Sequence, residues 1–172
     1  MKQLKWTERK FDFGFQKEYL SFLIERIKAT APRMEELIKG ISDEKLSLQP
    51  NNEWSAKQHI GHLSDLEELH EARIMQFKEG LSELRAADMS NKKTYDADHN
   101  KKNVSVLLKE FREVRAKFIK EVEALSEKTL DHKAFHPRLQ KQITPVDLVY
   151  FVSEHDNHHL TIMADILKIE SR

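Results

Sequence analysis

Apolar residues recur at steps of three and four along most of this chain, which is the spacing of an amphipathic helix. The cleanest stripe runs from Val104 to Leu125, extends over about six helical turns and carries no histidine. Comparable stripes lie within residues 19–41, 55–78 and 145–168. Four long helices and no credible strand predict an all-α fold, a four-helix bundle with short extra helices.

Polar residues and prolines mark where these helices should begin. Thr30 is expected to cap a helix that restarts after a break in the first stripe. Ser55, with Gln58 at the capping-box position, should start the second main helix. Thr144 followed by Pro145 should start the last one, because proline is favoured at the first helical position.

The length of 172 residues predicts one domain, residues 1–172, that is large enough to bury a proper core. Residues 1–14 show no apolar period and are expected to form a loosely ordered N-terminal extension. Residues 80–103 are mostly polar and aperiodic, and they predict a long connection. Substrate selectivity is expected to lie in this connection and in the loop at 131–143.

Composition narrows the chemistry. The chain has no cysteine, so it can supply neither a thiolate nucleophile nor a cysteine metal site, and any metal must use His, Asp or Glu. Its 29 basic and 29 acidic residues cancel, which argues against nucleic acid or an anionic membrane as a partner. Without a membrane-length apolar run or a signal-peptide core, the protein is expected to be cytoplasmic.

Three histidines fall within five positions of the last helix. His155 and His159 are four residues apart, so their imidazoles stand above one another on one helical face and can share a metal ion. His158 lies three residues from His155 and could replace His159. Apolar neighbours such as Val152 and Ile162 indicate that this face points into the protein.

Two imidazoles seldom hold a metal, and His62 is the best candidate for a third ligand. It lies on the core side of the second main helix, beside Leu66 and Leu69. The competing interpretation is that each histidine is a separately hydrogen-bonded core residue. One divalent cation would satisfy all three imidazoles at once.

Two segments, Trp54–Glu67 and Glu154–Leu160, resemble the corresponding motifs of the DinB-like superfamily, which includes YfiT-type metal-dependent hydrolases and bacillithiol transferases. The order of elements is similar over roughly residues 20 to 168. The resemblance implies a four-helix bundle with one divalent metal, nickel or zinc. It assigns the metal ligands to His62, His155 and His159, and it makes His158 a flanking residue.

Three protein ligands would leave metal positions open, which is typical of a catalytic site. Such a metal yields a nucleophile at neutral pH, from water or from a thiol. Asp65 and Asp156 are the nearest acids that could orient a ligand or relay a proton, and ordinary exposed carboxylates are the alternative. Trp54 and Tyr150 are candidates for the pocket wall.

The resemblance favours a metal-dependent enzyme that transfers a low-molecular-weight thiol to an electrophile. A metal-dependent hydrolase is the first alternative, and a non-enzymatic bundle with a structural or adventitious metal is the second. The expected partner is a small-molecule substrate, with neither nucleic acid nor membrane, and a homodimer is left open. Metal binding is expected to weaken below pH about 6.5, the ordinary histidine pKa.

Overall fold

The computed structural model describes the backbone of residues 4–170 and the side chains of residues 4–168. Eight α-helices lie in this part of the chain: α1 (Leu20–Lys28), α2 (Thr30–Ile38), α3 (Asp43–Leu46), α4 (Ala56–Lys78), α5 (Lys92–Asp96), α6 (Val104–Glu123), α7 (Glu127–Leu130) and α8 (Pro145–Glu170). Two short strands are β1 (Ala134–His136) and β2 (Lys141–Ile143). Single 3₁₀ turns cover Trp6–Glu8, Lys17–Tyr19, Pro50–Asn52 and His99–Lys101.

The long helices form a four-helix bundle, and the predicted fold class is confirmed. α4 packs against α6 and α8. The fourth helical arm of the bundle consists of α1 and α2 in succession, and both lie against α8. Within the described residues, no helix is both long and apolar enough to cross a membrane.

Most of the predicted helix starts are confirmed. The Ser55 hydroxyl accepts a hydrogen bond from the Gln58 backbone N–H, and the Gln58 side chain accepts one from the Ser55 N–H. Thr144 Oγ1 accepts from the Asp147 N–H at the start of α8. The prediction for Thr30 was wrong in its detail, because the chain breaks at Ala29 and Thr30 lies inside α2. The Thr30 hydroxyl donates to the buried Asp156 instead.

The expectation of no strand was also wrong. β1 and β2 form a small antiparallel hairpin that places Ala134 opposite Ile143, and both residues are fully buried. Three-residue strands are too short to display a clear period of two, so the hydrophobic pattern could not reveal them.

A layer of polar side chains divides the core into two apolar clusters. The buried Arg115 guanidinium on α6 donates to Glu67 on α4 at 2.8 Å and to Asp156 on α8 at 3.0 Å. Thr30 on α2 donates to the same aspartate at 2.7 Å. Burial disfavours the charge of Arg115, but Asp156 and Glu67 more than offset this, so its pKa is raised. The network links all four arms and holds α8 in one rotational orientation.

The described part of the N-terminal segment packs onto α8. Phe11 is buried, and its ring centroid lies 5.2 Å from that of Phe151. The Trp6 ring centroid lies 5.0 Å from that of Phe151 and 4.8 Å from that of His155. Residues 4–14 therefore cover the face of α8 that carries the histidines, although their sequence has no period.

Candidate metal centre

His62 from α4 meets His155 and His159 from α8 in the interior of the bundle. One ring nitrogen from each lies within 4.8 Å of the others, and all three residues are buried. The Nε2 atoms of His155 and His159 are 3.1 Å apart, as their four-residue spacing on one helical face requires. The structure thus brings together the three residues that the sequence singled out.

Hydrogen bonds fix which nitrogen of His62 faces the cluster. The Thr94 hydroxyl donates to Asp65 Oδ2 at 2.9 Å, so its oxygen must accept the bond from His62 Nδ1 at 3.1 Å. The Nδ1 atom of His62 therefore carries the proton, and its Nε2 atom keeps a free lone pair. His99 Nε2 contacts the same Asp65 oxygen at 2.9 Å and completes the chain.

A second imidazole supports His159. The Nδ1 atoms of His59 and His159 are 2.7 Å apart, so one of them must donate to the other. With His159 as the donor, its Nε2 lone pair is left to face His155. A hydrogen-bonded outer nitrogen is the usual arrangement for a histidine that binds a metal.

Burial keeps these imidazoles neutral. It is the main cause that lowers the pKa of His62 to about 4 and that of His59 to about 3. Burial also lowers the pKa values of His155 and His159 well below the ordinary range, and the neighbouring histidines add to the effect. At neutral pH each member of the cluster can therefore offer a lone pair.

The arrangement fits a divalent metal. Three neutral nitrogens converge, and two of them have their other ring nitrogen hydrogen-bonded to an outer residue. The outer nitrogen of His155, Nδ1, is buried without a hydrogen-bond partner among the described residues. Nitrogen-only donors suit zinc and nickel better than magnesium or calcium, which prefer oxygen.

The three histidines line a cavity of about 250 Å³. Two tryptophans flank it: the Trp54 ring centroid is 4.8 Å from that of His62, and the Trp6 ring centroid is 4.8 Å from that of His155. His158 is half-buried and also lines this cavity, but it is not one of the three clustered ligands.

Comparison with known proteins agrees with this fold. The family model described as the DinB superfamily matches residues 26–163, which include all three histidines. The chain belongs to the DinB superfamily. Among curated proteins it is similar to YuaE of Bacillus subtilis (strain 168), an uncharacterized protein, with 27% identity over 143 residues that cover 75% of this chain and 87% of YuaE.

Two solved structures share the DinB bundle. YfiT from Bacillus subtilis, described as a probable metal-dependent hydrolase with an unusual four-helix bundle topology, has a TM-score of 0.79 and 17% identity. That match covers 95% of this chain and 94% of the YfiT chain. A mycothiol-dependent maleylpyruvate isomerase has a TM-score of 0.66 and 10% identity, over 83% of this chain and 59% of its own.

The two predicted acids have different surroundings in this DinB protein. Asp65 contacts Thr94 and His99 and reaches His62 only through the Thr94 hydroxyl. Asp156 is buried in the polar layer, where its oxygens accept hydrogen bonds from Arg115 and Thr30. A role in proton transfer stays a prediction for both.

The two predicted wall residues also differ. Trp54 lines the cavity. Tyr150 packs instead against Phe15, which follows the N-terminal segment, with a distance of 4.6 Å between the two ring centroids.

Sequence reasoning missed several residues that surround the ligands. His59 is three residues before His62, and this spacing on one helix was its only signal. Thr94 and His99 come from the connection at 80–103, whose composition resembles an exposed loop, yet both are buried against α4. Gly61 allows this contact, because a Cβ atom there would lie 2.3 Å from His99 Cγ. No periodic pattern marks such a contact.

Replacement of Thr94 by valine should weaken metal binding by about 10- to 100-fold, the usual effect of losing an outer-shell partner. Valine keeps the shape of threonine but cannot accept the proton of His62 Nδ1, so the ring orientation is no longer fixed. Competition with a chromogenic chelator measures the affinity. Thr161→Val is the matched control, since Thr161 is exposed and bonds only to the Asn157 carbonyl. Equal affinities of both variants would remove Thr94 from the site.

Proposed function

We propose that this chain is a metal-dependent enzyme that transfers a low-molecular-weight thiol to an electrophile. The observation that carries the proposal is the cavity: the three clustered histidines line a space of about 250 Å³. Three protein ligands with adjoining space are typical of a catalytic centre, whereas a structural zinc site is closed by four protein ligands.

The protein residues have distinct tasks in this proposal. His62, His155 and His159 hold one divalent ion, zinc or nickel. When bound, such an ion favours the thiolate form of a coordinating thiol near neutral pH. Trp54 and Trp6 wall the cavity, exclude water and offer flat apolar surfaces to the electrophile. Holding the two reactants next to each other accounts for much of the expected acceleration.

The thiol must come from outside, because the chain has no cysteine. The bundle shared with a mycothiol-dependent isomerase supports a thiol co-substrate, and the bundle shared with YfiT supports a metal-dependent hydrolase. The cavity lining is poor in acids. Among the described residues that line it, Asp88 is the one carboxylate, and its oxygens accept hydrogen bonds from Ser90 and Lys92. Base assistance to a metal-bound water in a hydrolase would therefore fall to a lining histidine such as His158, whereas a thiolate needs no base in its attack.

Metal-loaded protein should accelerate the attack of a small thiol on a soft chromogenic electrophile at pH 7 by at least about 100-fold over metal-free protein. The expected size reflects the low thiolate fraction of a free thiol with a pKa of about 8.5 and the gain from holding both reactants together. Initial rates are measured for a panel of thiols, with water as the competing nucleophile. His62→Ala, which lacks one ligand, should show no metal-dependent rate.

The same assay separates the alternatives. Metal-dependent cleavage of esters or amides without any thiol effect would replace the proposal with a hydrolase. Full metal occupancy with no metal-dependent reaction of either kind across the panel would count against an enzyme and favour a structural metal. Protein purified without a nickel column is required, since a histidine cluster acquires metal from such a column.

A further inference from the structure

A buried arginine without a counter-ion lies next to the metal centre. Arg73 on α4 is 2% exposed and lines the same cavity as the three histidines. Its Nε atom donates to the Arg85 carbonyl at 3.0 Å, but its Nη2 atom is buried and has no hydrogen-bond partner within residues 4–168. In the part of the chain that the structure describes, no carboxylate forms an ion pair with it, in contrast to Arg115 in the polar layer.

A second arginine increases the positive charge here. Arg138, from the β1–β2 hairpin, lines the cavity and donates to the Trp6 carbonyl at 3.1 Å. Burial is the main cause that lowers the pKa of Arg73 to about 10, and the positive charge of Arg138 contributes to this lowering. Both guanidinium groups stay charged at neutral pH, and two like charges near one another without an acid are costly in a protein interior.

A third unpaired donor belongs to a residue of the cavity wall. Trp54 borders the cavity, and its buried Nε1–H has no acceptor among the described residues. Native proteins rarely leave several buried donors unpaired unless a ligand or water satisfies them. The unpaired groups here are donors and cations, so the complementary ligand is an anion with several acceptor oxygens.

We propose that Arg73, with Arg138, forms a subsite that binds a carboxylate group of the substrate beside the metal centre. The planar guanidinium matches a carboxylate through two parallel hydrogen bonds. The cavity of about 250 Å³ has room for a small organic acid. This inference rests on the proposed function for the identity of the reaction, but the anion subsite itself needs neither the metal nor the thiol.

The first test is therefore made on metal-stripped protein. Succinate and succinamide have the same number of heavy atoms and differ in charge, and titration calorimetry at low ionic strength compares their affinities. We expect wild type to prefer succinate at least tenfold, and Arg73→Met to reduce the preference to below about twofold. Arg73→Lys should retain part of it, because the charge stays and the fork geometry is lost.

Two further variants complete the comparison. Arg138→Met should reduce the preference by a smaller factor than Arg73→Met, since Arg138 already donates to the Trp6 carbonyl. Arg85→Met is the matched control and should leave the preference unchanged, because the Arg85 side chain is exposed and does not line this cavity. Equal binding of succinate and succinamide by wild type would overturn the proposal even if Arg73→Met failed to fold. Loss of the preference in Arg138→Met but not in Arg73→Met would overturn the assignment to Arg73.

Metal-loaded protein then shows which reactant carries the carboxylate. Mercaptoacetate is compared with mercaptoacetamide, and a carboxylated electrophile with its amide. For one of the two reactants, the carboxylate form should have a lower KM than its amide in wild type but not in Arg73→Met. That reactant is the one whose carboxylate binds to Arg73. Failure of the thiol reaction together with a retained succinate preference would reject the proposed transferase and keep the anion subsite. An active transferase without any succinate preference would support the proposed transferase and reject the anion subsite.

Discussion

Replacement of His159 by alanine is expected to abolish metal binding, with a loss of affinity of roughly a thousandfold or more. The site has three protein ligands, and the loss of one leaves two imidazoles, which seldom hold a divalent ion alone. His159 is also central to the cluster, because its two ring nitrogens contact His155 at 3.1 Å and His59 at 2.7 Å. Metal content per chain after dialysis against a weak chelator measures the effect.

His158→Ala is the matched control for this variant. His158 is adjacent in sequence, lines the same cavity and lies three residues from His155, a spacing that also permits a shared metal. It is outside the group of three converging nitrogens, so its removal should leave one metal per chain. Loss of the metal in His158→Ala and its retention in His159→Ala would make His158 the ligand and His159 the flanking residue. Full retention in both would contradict the three-histidine site.

Much of the fold could be predicted because local signals and tertiary packing agree. Ser55 and Gln58 form the expected capping box, and the stripe of α6 is buried as its spacing requires. Local sequence signals did not predict the role of Thr30, because its hydroxyl donates a hydrogen bond to a buried acid 126 residues away, Asp156. Whether a threonine caps a helix or bonds to a distant residue depends on packing that the sequence does not display.

The ligand histidines could be predicted because two of them share one helical face and the third faces the core. The residues that surround these ligands could not be predicted. Trp6, Thr94 and Arg138 come from segments without a periodic pattern, and each reaches the site through contacts distant in sequence. Arg73 is informative only once its burial is known, because an arginine on a helix is normally a solvent-exposed residue.

Metal-free protein should lose about 5 kcal/mol of its free energy of unfolding between pH 7.5 and pH 5.5. The cause is the set of five buried imidazoles whose pKa values are lowered in the folded state: His59, His62, His136, His155 and His159. In the unfolded chain each titrates near about 6.5, so below that pH unfolding takes up protons that the folded state does not bind. Each histidine then lowers the stability by roughly 1 kcal/mol over this interval.

The sign and the pH window follow from the lowered pKa values. Well above pH 6.5 these histidines hardly change the free energy of unfolding. As the pH falls below that value they lower it progressively, until the folded-state pKa is reached, which is about 4 for His62 and about 3 for His59. The loss is large against a typical total stability of about 5–15 kcal/mol. Urea denaturation at pH 7.5, 6.5 and 5.5, followed by circular dichroism, measures it.

Variants show whether these imidazoles cause the loss. His59→Gln should reduce the pH dependence by about one proton, because one buried titrating group is removed. His132→Gln is the control, since His132 lies outside the cluster and bonds to the Leu81 carbonyl. A stability that is flat between pH 7.5 and pH 5.5 would mean that the folded protein protonates its cluster readily.

The same pKa values revise the expectation for metal binding. An onset of weakening near pH 6.5 assumed unperturbed histidines, but the folded site stays neutral to a lower pH. Proton competition inside the folded protein should therefore begin only as the pH approaches about 4. Between pH 6.5 and that limit, the metal is expected to be lost mainly because the protein unfolds. Metal release that coincides with loss of the helical signal on acidification would support this order, and release from fully folded protein near pH 6.5 would contradict it.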